Sequence, residues 1–297
     1  MTRLADLAEL VRAPAALSVP GDVLSGAAAA GALGPRTPAL AGASVLLYWA
    51  GMAANDWADR RLDAVERPER PIPSGRVRPS VALGVASGLT AAGLAVATAA
   101  GGRRAAAVAL PLAATIWGYD LRAKNTAAGP AVMAACRGLD VLLGASGGRV
   151  VRALPAALTV AAHTWTVTAL SRREVTGADR RLPGLTLAGT ALIALVTPAR
   201  PTPPATGRSG SSRAARLGDL VPAVLAAGYA TRYGRAQARV LADPSPARVR
   251  AAVGAGITGL PALQGALTAR AGARMLGLAV AGAAPLGRRL ARLISPT

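Results

Sequence analysis

The 297-residue sequence has no phenylalanine, one cysteine, one histidine, one lysine and only 14 acidic residues. The lone Cys136 excludes an internal disulfide and a multi-cysteine metal cluster. It lies in an apolar run, where a small packed side chain is the simplest role. Aromatic residues make up 3% of the chain, too few to build stacking platforms for single-stranded nucleic acid. No G-x-S-x-G, H-E-x-x-H or phosphate-loop pattern occurs, and AGASGG lacks the G-K-[ST] ending, so it reads as a helix end.

What is present is apolar and basic. Hydrophobic residues are 52% of the chain, and 34 Lys+Arg face 14 Asp+Glu. A soluble protein with this balance would suggest a nucleic-acid partner. Here the arginines punctuate long apolar runs instead of forming a stripe, which predicts an integral membrane protein with arginine-rich loops and no nucleic acid. Runs near the 20 or so residues needed to span a bilayer fall at Ala15–Leu33, Pro38–Ala54, Val81–Ala100, Ala105–Trp117, Gly129–Gly147, Ala153–Leu170, Leu182–Thr197, Leu217–Ala230 and Val249–Ala269, with a weaker one at Ala271–Gly287. The expectation is a single all-α, polytopic domain over 1–297, about nine membrane helices around a central apolar cavity. MTRLADLAELVRAP reads as an amphipathic lead-in, not a signal peptide. RPTPPATGRSGSSR, within 200–216, reads as a flexible loop. Arginine and lysine divide about two to one between alternate loops in favour of the side holding the N-terminus. That predicts a cytoplasmic-membrane protein whose N-terminus and loops at about 55–80 and 171–181 face the cytoplasm.

One stretch stands out: NDWADRRLD, Asn55–Asp63, at the end of the second run. Asp56, Asp59 and Asp63 share one helical face, bordered by Asn55. The helix should stop near Glu66, because Arg67 precedes Pro68. Clustered carboxylates repel, more so beside a low-dielectric membrane. Arg60 and Arg61 point away from them, so an outside charge is needed. A divalent cation such as Mg²⁺ answers this, taking one or two carboxylates and completing its shell with water and phosphate oxygens.

NDxxDxxxD followed by RPIPSGR (Arg70–Arg76) resembles the first signature of the UbiA superfamily of intramembrane prenyltransferases, and length and span number agree over essentially the whole chain. The resemblance implies that Asp56, Asp59 and Asp63 hold Mg²⁺ bridging to the diphosphate of a prenyl donor, with Asn55 beside it. The second acidic motif of that superfamily should follow the sixth run. Here the loop reads SRREVTGADRR, with Glu174 and then Asp179 as the available ligands, a departure resembling UbiA-like proteins of bacterial secondary-metabolite operons. Tyr119 and Lys124 in YDLRAK stand where the family places a tyrosine and a basic residue. Lys124 is expected to contact diphosphate, assisted by Arg12, Arg67, Arg70 and Arg122.

Ionising an allylic diphosphate needs positive charge on the leaving group and protection of the carbocation, to which Tyr48, Trp49, Trp117, Tyr119 and Trp165 offer ring faces. Arg137 interrupts an apolar run with Asp140 three residues on. It is either half of an internal ion pair or a substrate contact at the cavity wall. His163 is either a hydrogen-bonded interior residue or a base for the acceptor. The leading expectation is Mg²⁺-dependent transfer of an isoprenoid from a prenyl diphosphate to a small-molecule acceptor of aromatic or quinone-precursor type. A terpene cyclase on the same scaffold, and a non-catalytic membrane subunit or transporter, are the alternatives.

Overall fold

A computed structural model describes residues 3–13, 18–198 and 220–283. The described residues are helical, and the 200–216 loop lies outside them. A short helix α1 (Leu4–Leu10) is followed by α2 (Pro20–Ala30), α3 (Thr37–Glu66), α4 (Pro79–Gly118), α5 (Gly129–Ala145), α6 (Val150–Ser171), α7 (Arg181–Val196), α8 (Val221–Ala242), α9 (Pro246–Arg270) and α10 (Arg274–Ala283). By length and apolarity α3, α6 and the Pro79–Ala123 stretch can each cross a membrane, while α7 and α10 are apolar but shorter.

The 40-residue α4 is not one rod. Trp117 Nε1 donates to Thr90 Oγ1 at 3.0 Å, yet 27 residues of straight helix would hold them about 40 Å apart. The chain folds back at Gly101–Gly102, where Gly102 has φ 64° and ψ −155°, a conformation open to glycine alone. The two runs expected at Val81–Ala100 and Ala105–Trp117 are thus two antiparallel arms. The first run is shorter than expected: α2 covers 11 residues and ends at Gly31 in the left-handed region, φ 68°.

Helix α3 carries Pro38 at its first turn and stops at Glu66, with Arg67 out of helical geometry as Pro68 requires. Thirty residues give a length of about 45 Å, against about 30 Å of hydrocarbon. The surplus is the acidic segment, carried past the apolar zone on a rigid helix.

Close packing depends on glycine. A Cβ on Gly144 would collide with the Val23 carbonyl, and one on Gly26 with the Val141 carbonyl. This reciprocal contact lets the α2 and α5 backbones approach closely, the usual solution in lipid. Gly144→Ala is expected to cost at least the ~1–3 kcal/mol of ordinary overpacking, because backbone cannot rotate away. A thermal unfolding midpoint equal to wild type in detergent would refute the tight crossing. Val23, Leu47, Leu112 and Leu143 centre the core of the first helices. Leu170, Tyr229, Tyr233 and Leu263 centre that of the later ones. Leu10, Val11, Ala53, Ala54, Ile72 and Val77 form a smaller core beneath the acidic end of α3.

Candidate active site

Each aspartate of the motif meets a cation, and the cations come from three different segments. Arg12 Nη2 donates to Asp56 Oδ1 at 2.7 Å. Arg70 Nη1 donates to Asp63 Oδ2 at 2.6 Å and reaches Asp56 Oδ1 at 3.4 Å. Lys124 Nζ lies 2.6 Å from Asp59 Oδ1 and donates to Asn55 Oδ1 at 3.0 Å. Arg67 is 3.5 Å from Asp63 Oδ1. Arg12 has φ 46°, an uncommon conformation for a residue with a side chain, at the point where the chain turns from α1 towards Asp56. Arg122 has no contact with these acids among the described residues.

The turn after α3 explains the R-P-I-P-S-G-R pattern. Ile72 and Val77 are buried, Gly75 has φ 76°, and Ser74 Oγ donates to the Arg70 carbonyl at 2.7 Å, which fixes Arg70 under the acids. Arg76 faces the other way. It donates to Asp6 Oδ1 at 2.9 Å and to both Glu9 oxygens at 2.6 and 2.9 Å, clamping α1 over the site. The Asp6 carboxyl is held below its ordinary range by the Arg3 backbone N–H and then by Arg76. Glu9, and then Asp6, push Arg76 up. A lowered carboxyl stabilises docking above the unfolded value near 3.8 and loses that effect as pH falls through the lower folded value. Hydrogen exchange of α1, taken relative to the intrinsic rate at each pH, should therefore stay slow at neutral pH and rise below about pH 4. Arg76→Ala should raise it already at pH 7, and unchanged exchange in that variant would refute the clamp.

Two adjoining cavities lie between this cluster and the interior of the bundle. The first, about 230 Å³, is lined by Arg12, Asn55, Tyr119, Asp120 and Cys136. The second, about 350 Å³, is mostly apolar and is lined by Trp49, Arg137, His163, Val253 and Leu260 among others. They share Tyr48, Met52, Tyr119 and Met133 as walls. Tyr119 begins a π-helical turn, Tyr119–Ala123, a feature often found at functional sites.

Sequence reasoning missed Asp120. It is buried and has no hydrogen bond or ion pair among the described residues. Gly51 makes room for it, since a Cβ there would sit 3.2 Å from Asp120 Oδ2. The signal was available: an acid beside the flagged Tyr119, in a chain with few acids.

Arg137 forms its ion pair with Asp22 on α2, Nε to Oδ2 at 2.7 Å, and not with Asp140. Asp140 instead accepts from Ser44 on α3. Gln264 Nε2 donates to Asp22 Oδ1 at 2.6 Å, and the Arg137 guanidinium lies 5.5 Å from the Tyr48 ring centroid. His163 Nδ1 is 2.8 Å from the Tyr229 hydroxyl with Tyr233 edge-on at 5.5 Å, so it is both a bonded interior residue and part of the cavity wall.

The 171–181 loop is not brought onto the motif acids. Asp179 Oδ1 accepts from the Leu182 N–H at 2.9 Å and caps α7. Glu174 lies by the start of α9, where Arg250 donates to its backbone carbonyl at 2.8 Å. Burial pushes its carboxyl up against the opposing Arg250 charge. The loop does touch the site's edge, since Arg172 donates to the Thr126 carbonyl.

The donor chemistry at Asn55–Asp63 fits a hard divalent cation: three carboxylates on one face and a buried Asp63 Oδ1 with no hydrogen-bond partner. Among the described residues no three His, Cys, Asp or Glu side chains converge on one metal position, and Arg12, Arg70 and Lys124 each hold a carboxylate.

An all-helical bundle with apolar helices long enough to cross a membrane, an acidic motif at a helix end and an apolar cavity behind it define a multi-pass membrane protein with a polar site at the end of its bundle. The model of the UbiA prenyltransferase family matches residues 21–195, and the chain belongs to that family. It is 44% identical over 80 residues to digeranylgeranylglyceryl phosphate synthase of Methanothrix thermoacetophila, 26% of this chain and 30% of that protein. Over 54 residues it is 46% identical to the bacteriochlorophyll synthase 33 kDa chain of Cereibacter sphaeroides, 18% of each. These matches span less than a third of the relatives' length. A solved structure of digeranylgeranylglyceryl phosphate synthase superposes with a TM-score of 0.66 at 16% identity, over 91% of this chain and 99% of that one. A UbiA homolog from Aeropyrum pernix K1 superposes with a TM-score of 0.58 at 17% identity, over 82% and 96%. At these identities the likeness is one of fold.

Proposed function

We propose that the chain is a Mg²⁺-dependent membrane prenyltransferase that moves an isoprenoid from a prenyl diphosphate to a small-molecule acceptor. The supporting observation is that the cavity holding Arg12, Asn55 and Asp120, beside the motif acids, adjoins the apolar one across shared tyrosine and methionine walls. Asp56, Asp59 and Asp63, with Asn55, would hold the metal, and Glu174 or Asp179 would have to leave its present partners to contribute. Bound Mg²⁺ would supply positive charge to the diphosphate leaving group.

The chain's own side chains do the rest. Arg12, Arg70 and Lys124 already sit within 3 Å of the acids and can transfer their N–H groups to diphosphate oxygens, with Arg67 near the rim. Tyr48, Trp49 and Tyr119 face the passage where positive charge develops. The apolar cavity holds the tail and excludes water. His163, which lines the same cavity as Arg137, would take a proton from an acceptor bound beside them. Nine spans, with the N-terminus and the acidic end on the cytoplasmic side of the cell membrane, complete the reading.

Purified protein in detergent, incubated with Mg²⁺ and geranyl, farnesyl or geranylgeranyl diphosphate, tests it. The acceptors follow the names of the relatives, a geranylgeranylglyceryl phosphate and a bacteriochlorophyllide, with hydroxybenzoate as an aromatic case. Acceptor-dependent conjugate is the expected result. Hydrocarbon or terpene alcohol formed equally without acceptor indicates a cyclase instead, and no diphosphate release with any donor defeats the enzymatic reading.

A further inference from the structure

A groove of about 590 Å³ lies between α8 and α9 and shares no lining residue with either cavity of the candidate site. Arg232, Arg235 and Arg239 line it from α8, and Arg248 from α9, over a floor of alanine and glycine. The three α8 arginines are three, four and seven apart and therefore share a face. Arg232 reaches across to donate to Thr258 Oγ1 at 3.0 Å, and Arg248 lies 3.5 Å from Asp243. Arg235 and Arg239 have no acidic partner among the described residues. Several guanidinium groups in one groove repel one another, so an anion from outside the chain is the natural complement.

The position of the groove says which anion. On the opposite face of α8, Tyr229, Tyr233 and Gln237 are buried in the bundle, so the arginine face points outward. One turn before the groove the same face carries Val224, 65% exposed. The outer face of α8 thus passes from apolar to basic, as expected of a helix leaving the acyl region for the headgroup zone. Loop arginines suffice for topology; these three lie within a helix and line a groove, which topology does not require. The turn after α8 packs on the 171–181 loop, Ala178 N–H donating to the Pro244 carbonyl at 3.0 Å. Arg172 of that loop holds the carbonyl of Thr126 next to the site. The groove therefore opens at the same face of the bundle as the acidic motif, on its outer wall.

We propose that this groove binds the phosphate of an anionic phospholipid, with Arg235 and Arg239 as its principal contacts and an acyl chain lying along the Val224 face. Free phosphate offers the same oxygens but has nothing to place on the apolar end.

The test uses the full chain in detergent, with thermal unfolding followed in phosphatidylglycerol, in phosphatidylcholine, or in inorganic phosphate at equal concentration. Phosphatidylglycerol should raise the midpoint by several degrees more than phosphatidylcholine, and Arg235→Gln/Arg239→Gln should remove the difference. Equal shifts with the two lipids, an equal shift with inorganic phosphate, or a difference that survives in the double variant would each overturn the lipid site. Should the double variant fail to fold, the wild-type protein released from nanodiscs of equal phosphatidylglycerol and phosphatidylethanolamine decides the matter by native mass spectrometry. Preferential retention of phosphatidylglycerol supports the site, and equal retention overturns it.

Discussion

Asp56→Asn is expected to lower prenyl transfer by about 10²–10³-fold, the size of effect seen when a charge-stabilising group is removed from a reacting centre, while leaving the unfolding midpoint close to wild type. Its partners explain the asymmetry. Arg12 has a side chain 39% exposed and can return to water, so its pair contributes little to stability. Arg70 keeps Asp63 at 2.6 Å. Asp63→Asn should differ, because Asp63 is 1% exposed and Arg70 depends on it. Breaking a fully buried pair costs about 3–5 kcal/mol, and the partial exposure of Arg70 brings the expectation down to roughly 2 kcal/mol. Both variants should lose transfer, but only Asp63→Asn should melt earlier. Diphosphate release and thermal unfolding, measured on the same preparations, check this. Full turnover in Asp56→Asn would remove the motif from the chemistry.

The helix end at Glu66 and the shared face of Asp56, Asp59 and Asp63 were legible because both rest on local rules, a proline two residues beyond and a 3.6-residue period. The fold-back at Gly101–Gly102 was legible for the same reason, as a break between two apolar runs. Which cation meets which acid was not. Arg12, Arg70 and Lys124 converge from a turn after α1, a loop and a π-helical turn, and no spacing in the chain encodes that meeting. Local spacing also misled at Arg137. Asp140 lies three residues away on the same helix, yet α3 presents Ser44 to it while α2 presents Asp22 to Arg137. Glu174 and Asp179 were chosen for position in the chain alone, and capping and packing of the 171–181 loop decided where they went. Asp120 had a sequence signal in its place beside Tyr119, but its burial without an ion pair among the described residues exists only in three dimensions.

Asp22→Ala should be the most destabilising single change among the polar residues of the bundle. It strips the carboxylate that, among the described residues, is paired with Arg137, whose side chain is 8% exposed, and a buried charge so orphaned costs about 3–5 kcal/mol. That is a large share of the ~5–15 kcal/mol that holds an ordinary domain together. The double variant Asp22→Ala/Arg137→Leu removes both charges and should regain most of the lost stability, since an apolar pair of similar volume is usually tolerated where a buried ion pair stood. Transfer activity should not return with it. Arg137 reaches the cavity wall opposite His163, and its pairing with Asp22, with Gln264 bracing Asp22 from α9, fixes where its free N–H groups point. A folded double variant that stays at least about tenfold slower assigns Arg137 to the substrate. One that recovers wild-type transfer reduces Arg137 and Asp22 to a packing pair, and the polar contacts at the inner cavity would then fall to His163 and the Tyr48 and Tyr119 hydroxyls.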